Sequence, residues 1–281
     1  MQLAAGTAGP TIVTNFERRC ARAQGGSPIE ASLFVKPNSD SKHPTKLASI
    51  IAFGAHPDDI EFGCGGVIAR ETESGRSVHF VVCSRGEAAT NGTPAVRVRE
   101  AKRAAALLGA TIEFVDLGGD AHIEERPAGA IALAAIIRRL KPNVILAPSL
   151  GENQHPDHPR LGRMVRDAGR LARYGGVKEL RGTAPHSIRQ LFFYSITPDA
   201  EPATSACVLV DVSTPAVIAR WTAAMEAHES QLKTRRYVEL QLTRARLNGL
   251  RAGVEHAIAL YPGGPIVVTD LEPLQRGAQQ F

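Results

Sequence analysis

Aromatic residues are scarce in this 281-residue chain, 5% of the total with a single tryptophan. Proteins that hold nucleic acid usually combine clustered basic residues with exposed aromatic platforms, so no nucleic-acid partner is expected. The arginines of "RLGRMVRDAGRLARY" recur at helical spacing and read as a solvated helix face. Cysteine is scarce too: Cys20, Cys64, Cys83 and Cys207 lie far apart and form no C-x-x-C pair. Cys83 and Cys207 sit in strand-like apolar runs, which suits reduced, buried thiols in a reducing compartment. No apolar run approaches the length of a membrane span. The opening "MQLAAGTAGPTIVTNFERRC" lacks a basic segment followed by a clear apolar core, so it reads as no export signal and the cytoplasm is expected.

What is present suits a folded enzyme-sized domain. The chain is 43% hydrophobic and 22% charged, with a net charge of +5, enough to bury one large core. Residues 1–45, rich in Gly, Ser, Pro and Lys, read as an N-terminal extension; residues 46–281 read as one domain. From there strands and helices alternate. "KLASIIAF", "SVHFVVCS", "TIEFVDL" and "PNVILAPS" are short, β-branched, apolar runs. Between them "GGVIARETESG", "TPAVRVREAKRAAALLG" and "PAGAIALAAIIRRLK" carry helical patterns bounded by Pro at the start or Gly at the end. Further strands are expected in "RQLFFYSI" and "ACVLVDV", two C-terminal helices in "TPAVIARWTAAMEAHESQL" and "VELQLTRARLNGLRAGVEHAIAL", and a last strand in "GGPIVVTDLEPL". The alternation predicts an α/β fold: a Rossmann-like, mostly parallel sheet covered by helices on both faces.

In such sheets ligands bind beyond the carboxyl ends of the strands. The polar clusters "AHPDD", "SRGEAATNG", "LGGDAHIEE" and "LGENQHPDH" each follow one of the first four strands, so all four are expected on that edge. "AHPDD" supplies His56, Asp58 and Asp59, and "HPDH" supplies His155, Asp157 and His158. Imidazole and carboxylate are the ligands of catalytic zinc, which keeps three protein donors and one open position. In each segment two of these groups stand three residues apart, on one side of a helical turn. Either turn alone would serve equally as a helix start in which aspartate accepts backbone N–H groups. Two acidic His turns after strands expected to be neighbours favour a metal site. Spacing does not decide which histidine of "HPDH" is the ligand.

"AHPDDIEFGCGG" with the distant "HPDH" resembles the LmbE/PIG-L family of zinc-dependent N-acetylglucosamine deacetylases. The supporting segments are "SRGEAATNGT", "RVREAKRAAALLG" and a helical "AHESQL", so the likeness covers most of residues 48 to 260. Many members carry Glu directly after the Asp pair, whereas here Ile60 precedes Glu61. The resemblance implies that His56, Asp59 and His158 bind Zn2+, with Fe2+ an alternative. It further implies that Asp58 is the general base, that His155 stabilises the oxyanion, and that Asp157 orients His155 and raises its pKa. The substrate implied is a small N-acetylglucosaminide, deacetylated by hydrolysis, and relatives commonly form homo-oligomers.

The resemblance also places Arg85, Glu87 and Asn91 in a pocket loop and gives Arg97 a part in substrate binding. A solvated loop and a helix-surface arginine are the competing readings. Arg85 and Arg97, with the basic balance, suggest an anionic aglycone. Asn153 stands where some relatives carry a pocket tyrosine. Cys64 reads as helix packing, Asp120 and His122 as loop or, following the third strand, as rim of the site, and His228 and His256 as structural. Two other functions fit parts of the pattern: an Fe(II) facial-triad oxygenase, usually built on an all-β scaffold, and a non-catalytic sugar-binding module. A dinucleotide enzyme is disfavoured, because "FGCGG" is not G-x-G-x-x-G.

Overall fold

The computed structural model describes residues 49–202, 205–271 and 277. The expected extension over residues 1–45, with Cys20, lies outside them. Seven strands, β1 (Ile50–Gly54), β2 (Val78–Val82), β3 (Thr111–Phe114), β4 (Val144–Pro148), β5 (Gln190–Tyr194), β6 (Val208–Asp211) and β7 (Ala257–Pro262), form a sheet ordered β3-β2-β1-β4-β5-β7-β6. The first five are parallel, and β7 runs antiparallel between β5 and β6. The helices are α1 (Asp59–Glu73), α2 (Pro94–Leu107), α3 (Pro127–Leu140), α4 (Asp157–Arg173), α5 (Pro215–Glu226) and α6 (Tyr237–Ala252).

Both faces of the central strands are buried, which is why β1 is an unbroken apolar run. Ile50 and Ala52 pack with residues of α1, α2 and α5, whereas Ile51 and Phe53 pack with residues of α3 and α4. The small residues "GCGG" let α1 approach closely: a Cβ on Gly63 would overlap the Tyr194 ring, and one on Gly65 would lie 2.7 Å from Trp221. The Tyr194 hydroxyl donates to the Phe53 carbonyl at 2.6 Å, and Trp221 Nε1 donates to the Glu61 carbonyl at 2.8 Å. On the opposite face, buried Arg138 of α3 donates to the carbonyls of Ala172, Tyr174, Leu180 and Thr183 at 2.6–2.9 Å. It thereby anchors the far end of α4.

Three expectations need correction. The last helix ends at Ala252, where Gly253 turns left-handed (φ 67°), and "AIALYP" is strand β7 rather than more helix. No strand follows within 263–271. "AHESQL" is not on a helix: α5 stops at Glu226, and the segment forms a turn running into a 3-10 turn at Gln231–Lys233. No described helix is long and apolar enough to cross a membrane.

Candidate metal centre and active site

The order 3-2-1-4-5 reverses direction between β1 and β4, and the crevice of such a sheet opens beyond those two strands. "AHPDD" leaves β1 and "HPDH" follows β4, so the two His turns face each other across that crevice. The first turn is closed by Asp59, whose Oδ2 accepts from the backbone N–H groups of Ala55 (2.8 Å) and His56 (2.9 Å). Its other oxygen, Oδ1, lies 3.1 Å from His158 Nε2. His56 Nδ1 lies 3.2 Å from His158 Nε2 and 3.5 Å from Asp59 Oδ2. A tetrahedral zinc site with bonds near 2.0–2.1 Å separates its donors by about 3.3 Å. Two buried imidazole nitrogens and a carboxylate converging at that spacing fit a divalent ion. Gln154 Oε1, 3.2 Å from His158 Nδ1, holds that ring through its outer nitrogen.

The other edge of His56 meets two carboxylates. Its Nε2 lies 3.1 Å from Asp120 Oδ1 and 3.2 Å from Asp157 Oδ2. Burial lowers the His56 pKa, but Asp59, Asp120 and Asp157 outweigh it and the net shift is well upward. Asp157 is fully buried, and its Oδ2 also accepts from the Ala121 N–H at 2.8 Å. This differs from the expected pairing. Asp157 Oδ2 is 3.9 Å from His155 Nδ1, and it is the Asp157 backbone N–H that donates to that nitrogen, at 3.3 Å. With Nδ1 an acceptor, the neutral ring of His155 carries its proton on Nε2. The expected rise in the His155 pKa is not found. Burial and the neighbouring His56 and His158 lower it.

Asp58 stands at a positive φ of 121°, strained for any residue but glycine. Arg97 Nη2 donates to the Pro57 carbonyl at 2.7 Å and to Asp58 Oδ2 at 3.2 Å, bracing that turn from α2. Burial pushes the Asp58 carboxyl up to about 6, while Arg97 pulls it down. Arg97 is 4% exposed, so the helix-surface reading does not apply.

His56, Asp58, Asp59, His155 and His158 line a cavity of about 570 Å³, with Asn91, Arg97 and Asp120 among the other walls. Asp157 lies behind it. Arg85 and Glu87 do not line it. Arg85 is exposed, and the Glu87 carboxylate accepts from the N–H groups of Arg85 and Asp120 at 2.9–3.1 Å. The argument for an anionic aglycone therefore loses both its cations: Arg85 is outside, and Arg97 is committed to Asp58. Asn153 is also exposed, and the neighbouring Gln154 faces the cavity instead. Buried Cys64 packs in the core, as read from the sequence.

Sequence reasoning missed several wall residues. Asp120 is not among them: its place after the third strand marks it as a rim candidate, and its Oδ1 lies 3.1 Å from His56 Nε2. Phe62, inside the first motif, and Ile196, Thr197, Gln231 and Tyr237, from segments with no motif except "HESQ", line the cavity. His228 is fully buried beside Phe62, its Nε2 at 3.4 Å from Glu61 Oε1 without hydrogen-bond alignment.

The family described as GlcNAc-PI de-N-acetylase (PIG-L) matches residues 51–169, a stretch that includes both His turns. A 4-oxalmesaconate hydratase of Pseudomonas putida is 31% identical over 147 residues, 48% of this chain and only 56% of the relative. The diacetylchitobiose deacetylase of Thermococcus kodakarensis is 28% identical over 200 residues, 66% of this chain and 70% of the relative. Among solved structures, the conserved protein TT1542 from Thermus thermophilus superposes with a TM-score of 0.70 at 31% identity. That match covers 82% of this chain and 100% of the other. The fold, the paired His turns and these matches together place the chain in the PIG-L family of GlcNAc-PI de-N-acetylases.

Proposed function

We propose that the protein hydrolyses the acetamide of an N-acetylglucosamine-type substrate, releasing acetate and the free amino sugar. The observation that carries this reading is the convergence of His56, Asp59 and His158 on one point beside the braced carboxylate of Asp58. The donor set suits Zn2+, and Fe2+ is compatible with it. A divalent ion held there supplies a polarised water and a Lewis-acid contact for the amide oxygen.

The remaining chemistry belongs to the side chains. Asp58 accepts the proton of the attacking water, and its raised pKa makes it a stronger base than an exposed aspartate. The same carboxyl then returns the proton to the departing amine, which must leave protonated. His155, on the opposite wall, presents Nε2–H as a neutral donor to the developing oxyanion. Asp157 and Asp120 orient His56 through Nε2, leaving Nδ1 for the ion.

The hydratase relative raises a second reading, water addition to a polycarboxylate. Such a substrate calls for uncommitted cations. Among the described residues lining the cavity Arg97 is the single Lys or Arg, and its charge is paired with Asp58 through Nη2, which also donates to the Pro57 carbonyl. Deacetylation is favoured. The oxygenase reading lacks its usual all-β scaffold, and the retention of Asp58 and His155 argues against a binding-only module.

The test pairs metal analysis with a free-amine assay on a panel of N-acetylglucosaminides. Near-stoichiometric zinc in wild type and Asp58→Asn, with amine released by the wild type alone, is expected. Chelation abolishes release and zinc restores it. A fully metallated wild type that frees no amine from any panel member, or a site that takes up no metal, overturns the reading.

A further inference from the structure

The "HESQ" segment, which the proposed reaction leaves unused, is bonded to the loop that walls the cavity. Ser230 is 4% exposed. Its N–H donates to Glu100 Oε1 at 2.9 Å and its hydroxyl to Glu100 Oε2 at 2.6 Å, so one carboxylate of α2 holds it at two points. The next side chain, Gln231, donates from Nε2 to the Asn91 carbonyl at 2.8 Å and to Ser230 Oγ at 2.9 Å. The backbone fits closely here: a Cβ on Gly92 (φ 80°) would lie 2.8 Å from Ser230 Oγ.

These contacts orient the Gln231 amide without ambiguity. A backbone carbonyl can only accept, so the group facing Asn91 must be the NH2. Both of its hydrogens are then in use, and what Gln231 has left to offer is Oε1, an acceptor. Gln231 lines the cavity together with Ala88, Ala89, Thr90 and Asn91 of the loop it holds.

We propose that Gln231, locked by Ser230 and Glu100, is a specificity-determining residue. It fixes the Ala88–Asn91 wall and presents Oε1 to a donor of the substrate, a sugar hydroxyl or amide N–H. The substrate half of this inference rests on the proposed deacetylation; the clamp does not. A preset acceptor rewards a substrate that brings the matching donor and leaves one that lacks it with an unpaired polar group.

The experiment compares wild type, Gln231→Ala, Gln231→Glu and Ser230→Ala, with Glu229→Ala as a neighbouring control outside the cavity. Gln231→Glu keeps the shape but sets a carboxylate against the Asn91 carbonyl, so it separates lost packing from the lost donor. Two readouts are taken on metal-loaded protein. Amide hydrogen exchange of residues 88–92 is expected to speed up about tenfold or more in the three clamp variants and not in Glu229→Ala. KM for the best N-acetylglucosaminide is expected to rise about tenfold in Gln231→Ala and Gln231→Glu, with kcat within about threefold of wild type. Unchanged exchange in the loop overturns the clamp. Faster exchange with unchanged KM, or a loss confined to kcat, overturns the substrate contact. If the wild type frees no amine from any panel member, the deacetylase reading and the substrate contact fall with it, while the exchange data still decide the clamp.

Discussion

The Asp157 carboxylate meets His56, not His155: Oδ2 lies 3.2 Å from His56 Nε2 and 3.9 Å from His155 Nδ1. A carboxylate on the outer nitrogen of a ligand histidine fixes its orientation and raises its basicity, and losing one typically costs 10–100-fold in metal affinity or activity. Asp157→Asn is therefore expected to weaken zinc binding about tenfold or more, measured by competition with a chromogenic chelator. Unchanged zinc affinity with a collapsed kcat would return Asp157 to the His155 role that the family resemblance implied.

Arg97 braces Asp58 through Nη2, which serves both the Pro57 carbonyl and the carboxylate, while Nη1 faces Asp120 at 3.9 Å; the shorter side chain and compact ammonium of lysine do not reproduce that planar placement. Arg97→Lys keeps the charge and loses that geometry. The expected outcome is a fall in kcat/KM of about a hundredfold at unchanged metal content, on the scale that misplacing a catalytic group can cost. Activity within about threefold of wild type would show that the charge alone suffices.

Gly63 is a packing requirement. Its Cα lies against the Tyr194 ring, and a methyl there has nowhere to go without moving α1 or β5. Gly63→Ala is expected to destabilise by about 1–3 kcal/mol, lowering Tm by about 3–10 °C in a domain of this size. Thermal unfolding of the metal-loaded protein checks it. An unchanged Tm would mean that the ring yields freely.

His228 makes stability depend on pH. Burial alone would lower its pKa, but the carboxylates of Glu61 on α1, Asp58 before it and Glu100 on α2 outweigh that, and the net shift is upward. A raised folded-state pKa means that the protonated ring stabilises the fold fully below its unfolded value of about 6.5. That contribution is lost as pH rises through the higher folded value. The Tm gap between wild type and His228→Gln is expected to narrow from pH 6 towards pH 9, by differential scanning fluorimetry. A constant or widening gap would show that the ring is neutral in the fold.

Much of this architecture is legible in one chain of letters, because the signals involved are local. The apolar run before His56, the Pro-led helices and the alternation of strand and helix each reflect neighbours within a dozen residues. From alternation alone follows a parallel sheet whose loops gather on one edge, and so both His turns share a crevice. The reading failed where local signals were ambiguous. "AIALYP" continues an Ala- and Leu-rich stretch, and only its antiparallel place between β5 and β6 makes it a strand.

Pairings across the crevice were decided by tertiary structure alone. Arg97 reaches a carboxylate 39 residues away, and Gln231 a carbonyl 140 residues away. Neither partner is legible in sequence, because nothing local marks a contact so distant. Residue types and spacing within each motif determined that two His and carboxylate turns, a donor set suited to a metal, gather at this edge. The base was implied by the family resemblance. Which carboxylate serves which imidazole depends on distances of 3–4 Å between loops from different strands, and these exist only once the sheet has set the strands side by side.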